Sequence, residues 1–388
     1  MLILLDCRSL LFHPPNGEKA RFIISCLDII ARQGDFEWLF LVDHTYREGS
    51  LTGLPPGRIL TRKDFPGKTG WKIWYDWQIP RVVKKYRPDL LMTTGGLTAR
   101  VGIPQCVWMP ERPDTALRMD DRKLAALYRA RFSRSLETAS ALFTFSEKDA
   151  SFLAGSLKVE DPAAGKVFKD KIVVLQGAPG ARYQPLPEEE RQKIREVYTG
   201  GMEYFLALAG EGEKEWVHLL KAFSRFKKRQ QSNMQIVLLS SAPGDGIRIG
   251  GKLETYKYRT DVHRVNDLSG EERARIFAGC YAFIAPFTPE SLGLAQLDAW
   301  KAGVPVIAPD NGAGAGLAFE AALYAPPEDE ESLAAHLMRV YKDERLRATL
   351  VEKGQLLVQP LSWERTAGQV REGMERALGG FPKSAINK

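Results

Sequence analysis

Residues 286–309 read PFTPESLGLAQLDAWKAGVPVIAP, from Pro286 to Pro309. An apolar run, Ala282–Ala285, ends at the first of these residues, and a second, Val304–Ala308, closes the stretch. Between them Glu290 falls in a loop, and Ser291-Leu292-Gly293 opens a segment with helical periodicity. Strand, helix, strand in this order is a crossover unit of a parallel sheet. The first amides of such a helix have no internal partners and sit at the positive end of its dipole, so residues 291–293 are suited to an anionic phosphate. Glycine at 293 would let that group approach closely. Glu290, at the mouth of the helix, is placed for sugar hydroxyls. Asp298, eight residues on and about two turns into the helix, is placed for a ribose diol. The same residues also fit a plainer reading, with Glu290 capping the helix and Asp298 on a solvated face.

Working outward, the pattern repeats. Apolar runs of strand length occur at Leu2–Leu5, Trp38–Val42, Leu90–Thr93, Cys106–Met109, Ala141–Phe145 and Ile172–Leu175. They resume at Phe205–Ala209 and Ile236–Leu239, and again at Leu323–Ala325 beyond the opening stretch. Each has the length and continuous apolarity of a strand buried on both faces. Ala20–Arg32, Trp71–Lys85 and Glu213–Arg229 have helical spacing between them. Glycine and proline interrupt the pattern from Gln176 to Pro187, which marks an interdomain linker. The expected fold is α/β, with two doubly wound (Rossmann-like) domains facing across a cleft and ligands bound beyond the carboxyl ends of the strands.

Composition narrows the function. Hydrophobic residues make up 44% of the 388 and charged residues 27%, as in a soluble globular protein. No apolar run is long enough to span a bilayer, and Asp6 and Arg8 end the first one too early for a secretory signal, so a cytoplasmic location is expected. Cys7, Cys26, Cys106 and Cys280 are scattered without metal or redox spacing and read as core residues; the five histidines are equally dispersed, and no metal is expected. The net charge of +7 favours an anionic partner. The basic stretch Arg118–Arg134 reads as a solvated helix face or as an acceptor- or membrane-facing surface. It lacks interleaved aromatics, so nucleic acid is not expected.

The stretch at 286–309 resembles the acidic-pair motif of the retaining glycosyltransferases of family 4: Glu290, seven residues, a second acid at Asp298, then Gly303-Val304-Pro305-Val306. Trp77–Val83 with Pro88-Asp89, Phe145–Lys148, Asp170–Val174 with Gly177-Ala178, and Leu361–Trp363 resemble other segments of that family in order and spacing. The resemblance implies GT-B architecture: an acceptor-side domain at 1–178, a nucleotide-sugar-binding domain at 188–360, and a C-terminal helix at 361–378 closing back toward the first. It implies a nucleotide-sugar as substrate, with no cofactor and no obligatory metal. The glycan or lipid-linked acceptor would belong to cell-surface polysaccharide biosynthesis, with peripheral contact at the inner face of a membrane.

By the same resemblance Glu290 orients the donor sugar. Lys214 and Gly210, in the loop after the Phe205–Ala209 run, bind the donor with Ser291, Leu292, Gly293 and Asp298. Lys214 also fits an exposed partner of a neighbouring glutamate on the helix. Glu111 and Ser146 fall on the acceptor side.

The sequence departs from the family at several points. The first-loop arginine is missing, with Glu211 and Glu213 nearby. Pro110-Glu111 stands where the family has histidine and aspartate, and proline offers no donor. Asn16–Arg21 replaces a glycine-rich loop, Asp298 is a methylene shorter than the usual glutamate, and Gly312–Gly316 replaces a proline-glutamate pair. Two functions follow as alternatives: sugar transfer with retention of configuration, or a weakened or inactive module that binds a nucleotide-sugar or partners an active transferase. An epimerase on the same architecture would need an acid and a base flanking the sugar. The histidine that the family carries after the Cys106–Met109 run is Pro110 here, which argues against an epimerase.

Overall fold

The structure is a computed structural model that describes residues 1–12, 17–46, 53–63, 67–110, 122–156, 168–209, 213–240, 253–266, 268–286, 291–310 and 320–380. The chain forms two units: residues 1–176 with 363–388, and residues 177–362.

The first unit is built on a parallel sheet: β1 (Leu2–Asp6), β2 (Glu37–Asp43), β3 (Arg58–Arg62), β4 (Leu90–Thr93), β5 (Gln105–Trp108), β6 (Ala141–Thr144) and β7 (Ile172–Val174), in the order 3-2-1-4-5-6-7. β1, β4, β5 and β6 are almost wholly buried, as continuous apolar strands between two helix layers must be. The helices are α1 (Arg8–Phe12), α2 (Glu18–Arg32), α3 (Gly67–Ile73), α4 (Ile79–Tyr86), α5 (Arg122–Thr138) and α6 (Glu147–Ser156). The single helix expected over Trp71–Lys85 is interrupted. A π-turn at Trp74–Gln78 joins α3 to α4, with the Ile79 amide donating to the Trp74 carbonyl. Pro80 follows at the start of α4, where its missing N–H and fixed φ are tolerated.

The second unit begins with α7 (Glu188–Thr199) and carries β8 (Tyr204–Ala209), α8 (Glu213–Gln230), β9 (Gln235–Ser240), β10 (Val262–Val265), α9 (Gly270–Gly279) and β11 (Ala282–Ile284). It continues with α10 (Leu294–Lys301), β12 (Val306–Pro309), β13 (Ala322–Ala325), α11 (Glu330–Lys342) and α12 (Glu344–Val358). Its sheet is parallel in the order 10-9-8-11-12-13. Phe205, Phe223, Phe226, Ile236, Ile284, Ile307 and Leu337 share its core. Local signals fix the helix starts: Ser269 and Glu272 form a reciprocal capping box, and Asp329 accepts from the amides of Glu331 and Ser332.

The last helix, α13 (Trp363–Gly379), belongs to the first unit. Thr366 Oγ1 donates to the Gln176 carbonyl at 2.6 Å, and Trp363 meets Phe22 edge-on at 5.1 Å between ring centres. Gly373 lies against the Phe143 ring, where a β carbon would sit 2.7 Å from a ring atom, so only glycine allows this approach. The segment 177–187, expected to be a linker, packs on the second unit. Tyr183 meets Phe277 edge-on at 5.4 Å, and Pro185 lies against Gly303.

Candidate functional site

In both sheets the strand order reverses once: between β1 and β4 in the first, and between β8 and β11 in the second. At such a point the loops leaving the two strand ends part to opposite faces, and a crevice opens between them. β8 and β11 pair directly, with Phe205 opposite Ala282 and Ala207 opposite Ile284. The chain from β8 to α8 contains Gly210, and the chain from β11 to α10 contains Glu290, Ser291, Leu292 and Gly293. Topology therefore starts both expected donor loops from neighbouring strand ends. Gly210 and Glu290 themselves lie outside the described residues. Lys214 is on the first turn of α8, with its side chain outside them.

Gly293 is the residue that turns the chain into α10. Its φ of 77° is left-handed, a conformation natural for glycine and costly for residues with a β carbon. The need for glycine thus has a backbone cause, beside any close approach of a ligand. Its amide donates to Ser291 Oγ at 3.2 Å, while its carbonyl accepts the first helical bond from Leu297. Ser291 and Leu292 are both buried.

From Leu294 to Trp300 every residue of α10 is buried. Trp300 donates from Nε1 to the Ala321 carbonyl at 3.0 Å, and α12 fits over it at Gly354, where a β carbon would come within 2.2 Å of the indole. Asp298 is only 1% exposed, so the solvated-face reading does not hold. Its Oδ1 accepts the Gly180 amide at 2.8 Å. Gln296, which the sequence reading passed over, is equally buried, and its Oε1 has no hydrogen-bond partner among the described residues. Its place in the opening motif was the available signal.

The reversal point of the first sheet is lined differently. Asp6, at the end of β1, accepts at Oδ1 from the Arg8 amide at 3.1 Å and from Trp74 Nε1 at 3.0 Å. Burial pushes its carboxyl up to about 6, partly opposed by the Arg8 amide, the Trp74 donor and the Arg8 charge. Arg8 is buried, with its guanidinium 5.7 and 5.2 Å from the centres of the Trp71 and Trp74 rings. Ser9 and Thr94 share a hydrogen bond at 2.5 Å, and Thr94 donates to the Asp6 carbonyl. None of these residues was singled out as a site residue; their signal was a polar pair immediately after an apolar strand. Of the acceptor-side residues expected from sequence, Glu111 lies outside the described residues. Ser146 caps α6, donating to Asp149 Oδ2 at 2.5 Å and accepting from the Asp149 amide.

The chain superposes on sucrose-phosphate synthase of Thermosynechococcus elongatus with a TM-score of 0.71 at 16% identity, covering 98% of this chain and 100% of the other. WaaG, a glycosyltransferase involved in lipopolysaccharide biosynthesis, gives 0.71 at 13% identity over 99% and 100% of the chains. The fold is GT-B. HepE of Anabaena, solved in complex with UDP-glucose, gives 0.70 at 14% identity over 97% and 99%. Residues 204–343, from β8 into the turn before α12, match the family model described as Glycosyl transferases group 1. In sequence, the O-antigen chain mannosyltransferase B of Escherichia coli is 21% identical over 202 residues, which is 52% of this chain and 53% of that protein. No helix among the described residues is long and apolar enough to cross a membrane.

Proposed function

We propose that this GT-B protein is a retaining glycosyltransferase that moves a sugar from a nucleotide-sugar to a polysaccharide or lipid-linked acceptor. One observation carries the reading: within the part that matches the glycosyltransferase model, the loops holding Gly210 and Glu290–Gly293 leave adjacent strands at the reversal point of the sheet. Lys214, on the first turn of α8, and the amides at the start of α10 meet the departing diphosphate. Fixed charges and dipoles of this kind stabilise a leaving group without reorganising. Glu290 orients the sugar. The nucleotide-sugar is substrate, not cofactor. Its relatives fit this use: HepE was solved with UDP-glucose, and WaaG serves lipopolysaccharide synthesis.

Titration calorimetry with uridine and guanosine diphosphates, followed by hydrolysis of a nucleotide-sugar panel, tests the proposal. Binding of one diphosphate is expected, weakened by about 1–3 kcal/mol in Lys214→Ala, the worth of a charge-assisted contact. Absence of affinity for either refutes it. A second reading, a nucleotide-sugar-binding module without transfer, is favoured by the commitment of two motif groups inside the protein: Asp298 to Gly180, and the Gly293 amide to Ser291. Binding without turnover would select it.

Peripheral contact with an anionic membrane is part of the proposal, and its support moves from α5 to α4. In α5 Arg131 is spent on Asp76, at 2.5 Å. The segment 53–88 carries nine basic residues against two acidic, an excess equal to that of the whole chain. Trp77 is 59% exposed with the Arg81 guanidinium 4.8 Å over its ring, and Arg58 and Lys85 flank Tyr86. An exposed indole among cations suits a headgroup layer. Co-sedimentation with phosphatidylglycerol vesicles should be lost in the triple variant Arg81→Glu, Lys84→Glu, Lys85→Glu. Undiminished binding of the triple variant removes the membrane from the proposal.

A further inference from the structure

Asp298 occupies the second acidic position of the motif, yet its surroundings are those of a structural tie. It stands on the second turn of a helix buried along Leu294–Trp300, and its Oδ1 reaches a backbone amide 118 residues away in sequence. That amide belongs to Gly180, within the segment 177–187 through which the chain enters the second unit. The same segment touches the far end of α10, where Pro185 Cγ lies 3.3 Å from the position of a β carbon on Gly303. Tyr183, between these two points, is pinned on Phe277 of α9. The ring contact of Tyr183 and the contact of Pro185 are apolar and fix only proximity. The bond to Asp298 is directional and charge-assisted, and it fixes register.

We infer that Asp298 is a positioning residue, which latches the entering segment to α10 and so holds the amides at residues 292 and 293 in place, and that it does not touch the ribose. The inference rests on the reading of the start of α10 as the diphosphate site. The Asp298 carboxylate is 1% exposed and its Oδ1 is already engaged by the Gly180 amide, which favours a tie over a waiting diol site. The shorter aspartate, in place of the glutamate implied by the family resemblance, suits a tie to the protein's own backbone. Without the latch, α10 keeps its packing through Trp300 and Gly354 but loses its register against the segment. Donor affinity then falls with no ligand contact removed.

Two measurements separate the latch from the donor reading. Amide hydrogen exchange at Gly180 needs no ligand: slow exchange is expected in the wild type, on the order of ten- to a hundred-fold faster exchange in Asp298→Ala, and near wild-type rates in Asp298→Asn, whose amide oxygen still accepts. Equal rates in the wild type and Asp298→Ala overturn the latch. Calorimetry then compares uridine diphosphate with 2′-deoxyuridine diphosphate. Both should weaken together in Asp298→Ala, with their ratio unchanged, and both should recover in Asp298→Asn. A ratio collapsing toward one overturns the inference, because the carboxylate would then be reading the 2′-hydroxyl. If Asp298→Ala does not fold, Gly180→Pro deletes the donor from the other side and should weaken both nucleotides at constant ratio; a changed ratio there is equally fatal. If the wild type binds neither nucleotide, the donor reading fails, and the exchange rates alone decide the latch.

Discussion

The two sheets reverse their strand order at equivalent places, and the protein has treated those places in opposite ways. At the β1–β4 reversal, buried side chains close over the strand ends: Asp6, Arg8 and Trp74, with Ser9 and Thr94 bonded beside them. At the β8–β11 reversal, what the described residues offer is backbone, a left-handed glycine and the start of a helix, with the polar side chains Asp298 and Gln296 buried behind it. A reversal point is an opportunity for a ligand. Whether it is taken depends on which groups fill it. The contrast makes a general expectation: substitutions at the first point should act on stability, and substitutions at the second on nucleotide affinity.

The largest effect belongs to Trp74→Ala. The indole is fully buried and donates to Asp6, so its loss should cost about 3–5 kcal/mol in denaturant unfolding of the first unit, with diphosphate affinity of the surviving folded protein unchanged. A variant that unfolds normally but no longer binds nucleotide would reverse the roles of the two points.

Asp6 gives the next effect and a pH signature. Its carboxyl titrates at about 6 in the folded protein against an ordinary 3.8. A raised folded value means that the folded state holds the proton more tightly, so this contribution to stability is complete below about pH 4 and is lost as pH rises through about 6. The size is roughly 3 kcal/mol for a shift of about two units. Asp6→Asn keeps the acceptor for Arg8 and Trp74 without a buried charge. Its melting temperature should therefore stay level from pH 4 to 7 where that of the wild type declines. Parallel curves would show that Asp6 is not the group responsible.

How far the sequence carried this contrast can be read from individual elements. The eleven strands inferred from apolar runs are present. The two that escaped, β3 and β10, each form one edge of their sheets; the opposite edges, β7 and β13, keep apolar runs. In RILTR only Leu60 is buried, and in VHRV only Val262, so neither strand shows the continuous apolar run that marked the others. That Gly210 and Glu290 each fall between a strand end and a helix start was legible, because that spacing is local. The partner of Asp298 was not, since nothing in LAQLDAWK announces Gly180. The solvated face that Asp298 also fitted is covered on α10, and so is Gln296. Asp6 was read only as the end of an apolar run, because its neighbours Trp74 and Thr94 arrive from distant strands and turns.

At the second point Gly293→Ala should cost about 1–2 kcal/mol of stability, the penalty for a β carbon in the left-handed region, together with a loss of diphosphate affinity as the start of α10 reorients. A stability cost with affinity intact would detach the helix start from the ligand.

Ser291→Ala is the smallest change and the most discriminating. The hydroxyl accepts the Gly293 amide at 3.2 Å, a neutral bond near the weak end of the usual range, so the stability cost should be about 0.5–1 kcal/mol. Its effect on binding depends on what the hydroxyl does when the diphosphate arrives. If the amide leaves Ser291 for a phosphate oxygen, deleting the hydroxyl removes a competitor, and affinity should hold or rise. If the hydroxyl itself donates to the phosphate, affinity should fall about ten-fold, the worth of one hydrogen bond to a charged group. The helix-start reading requires the first outcome, since there the ligand is held by backbone and the serine only occupies the amide until it comes.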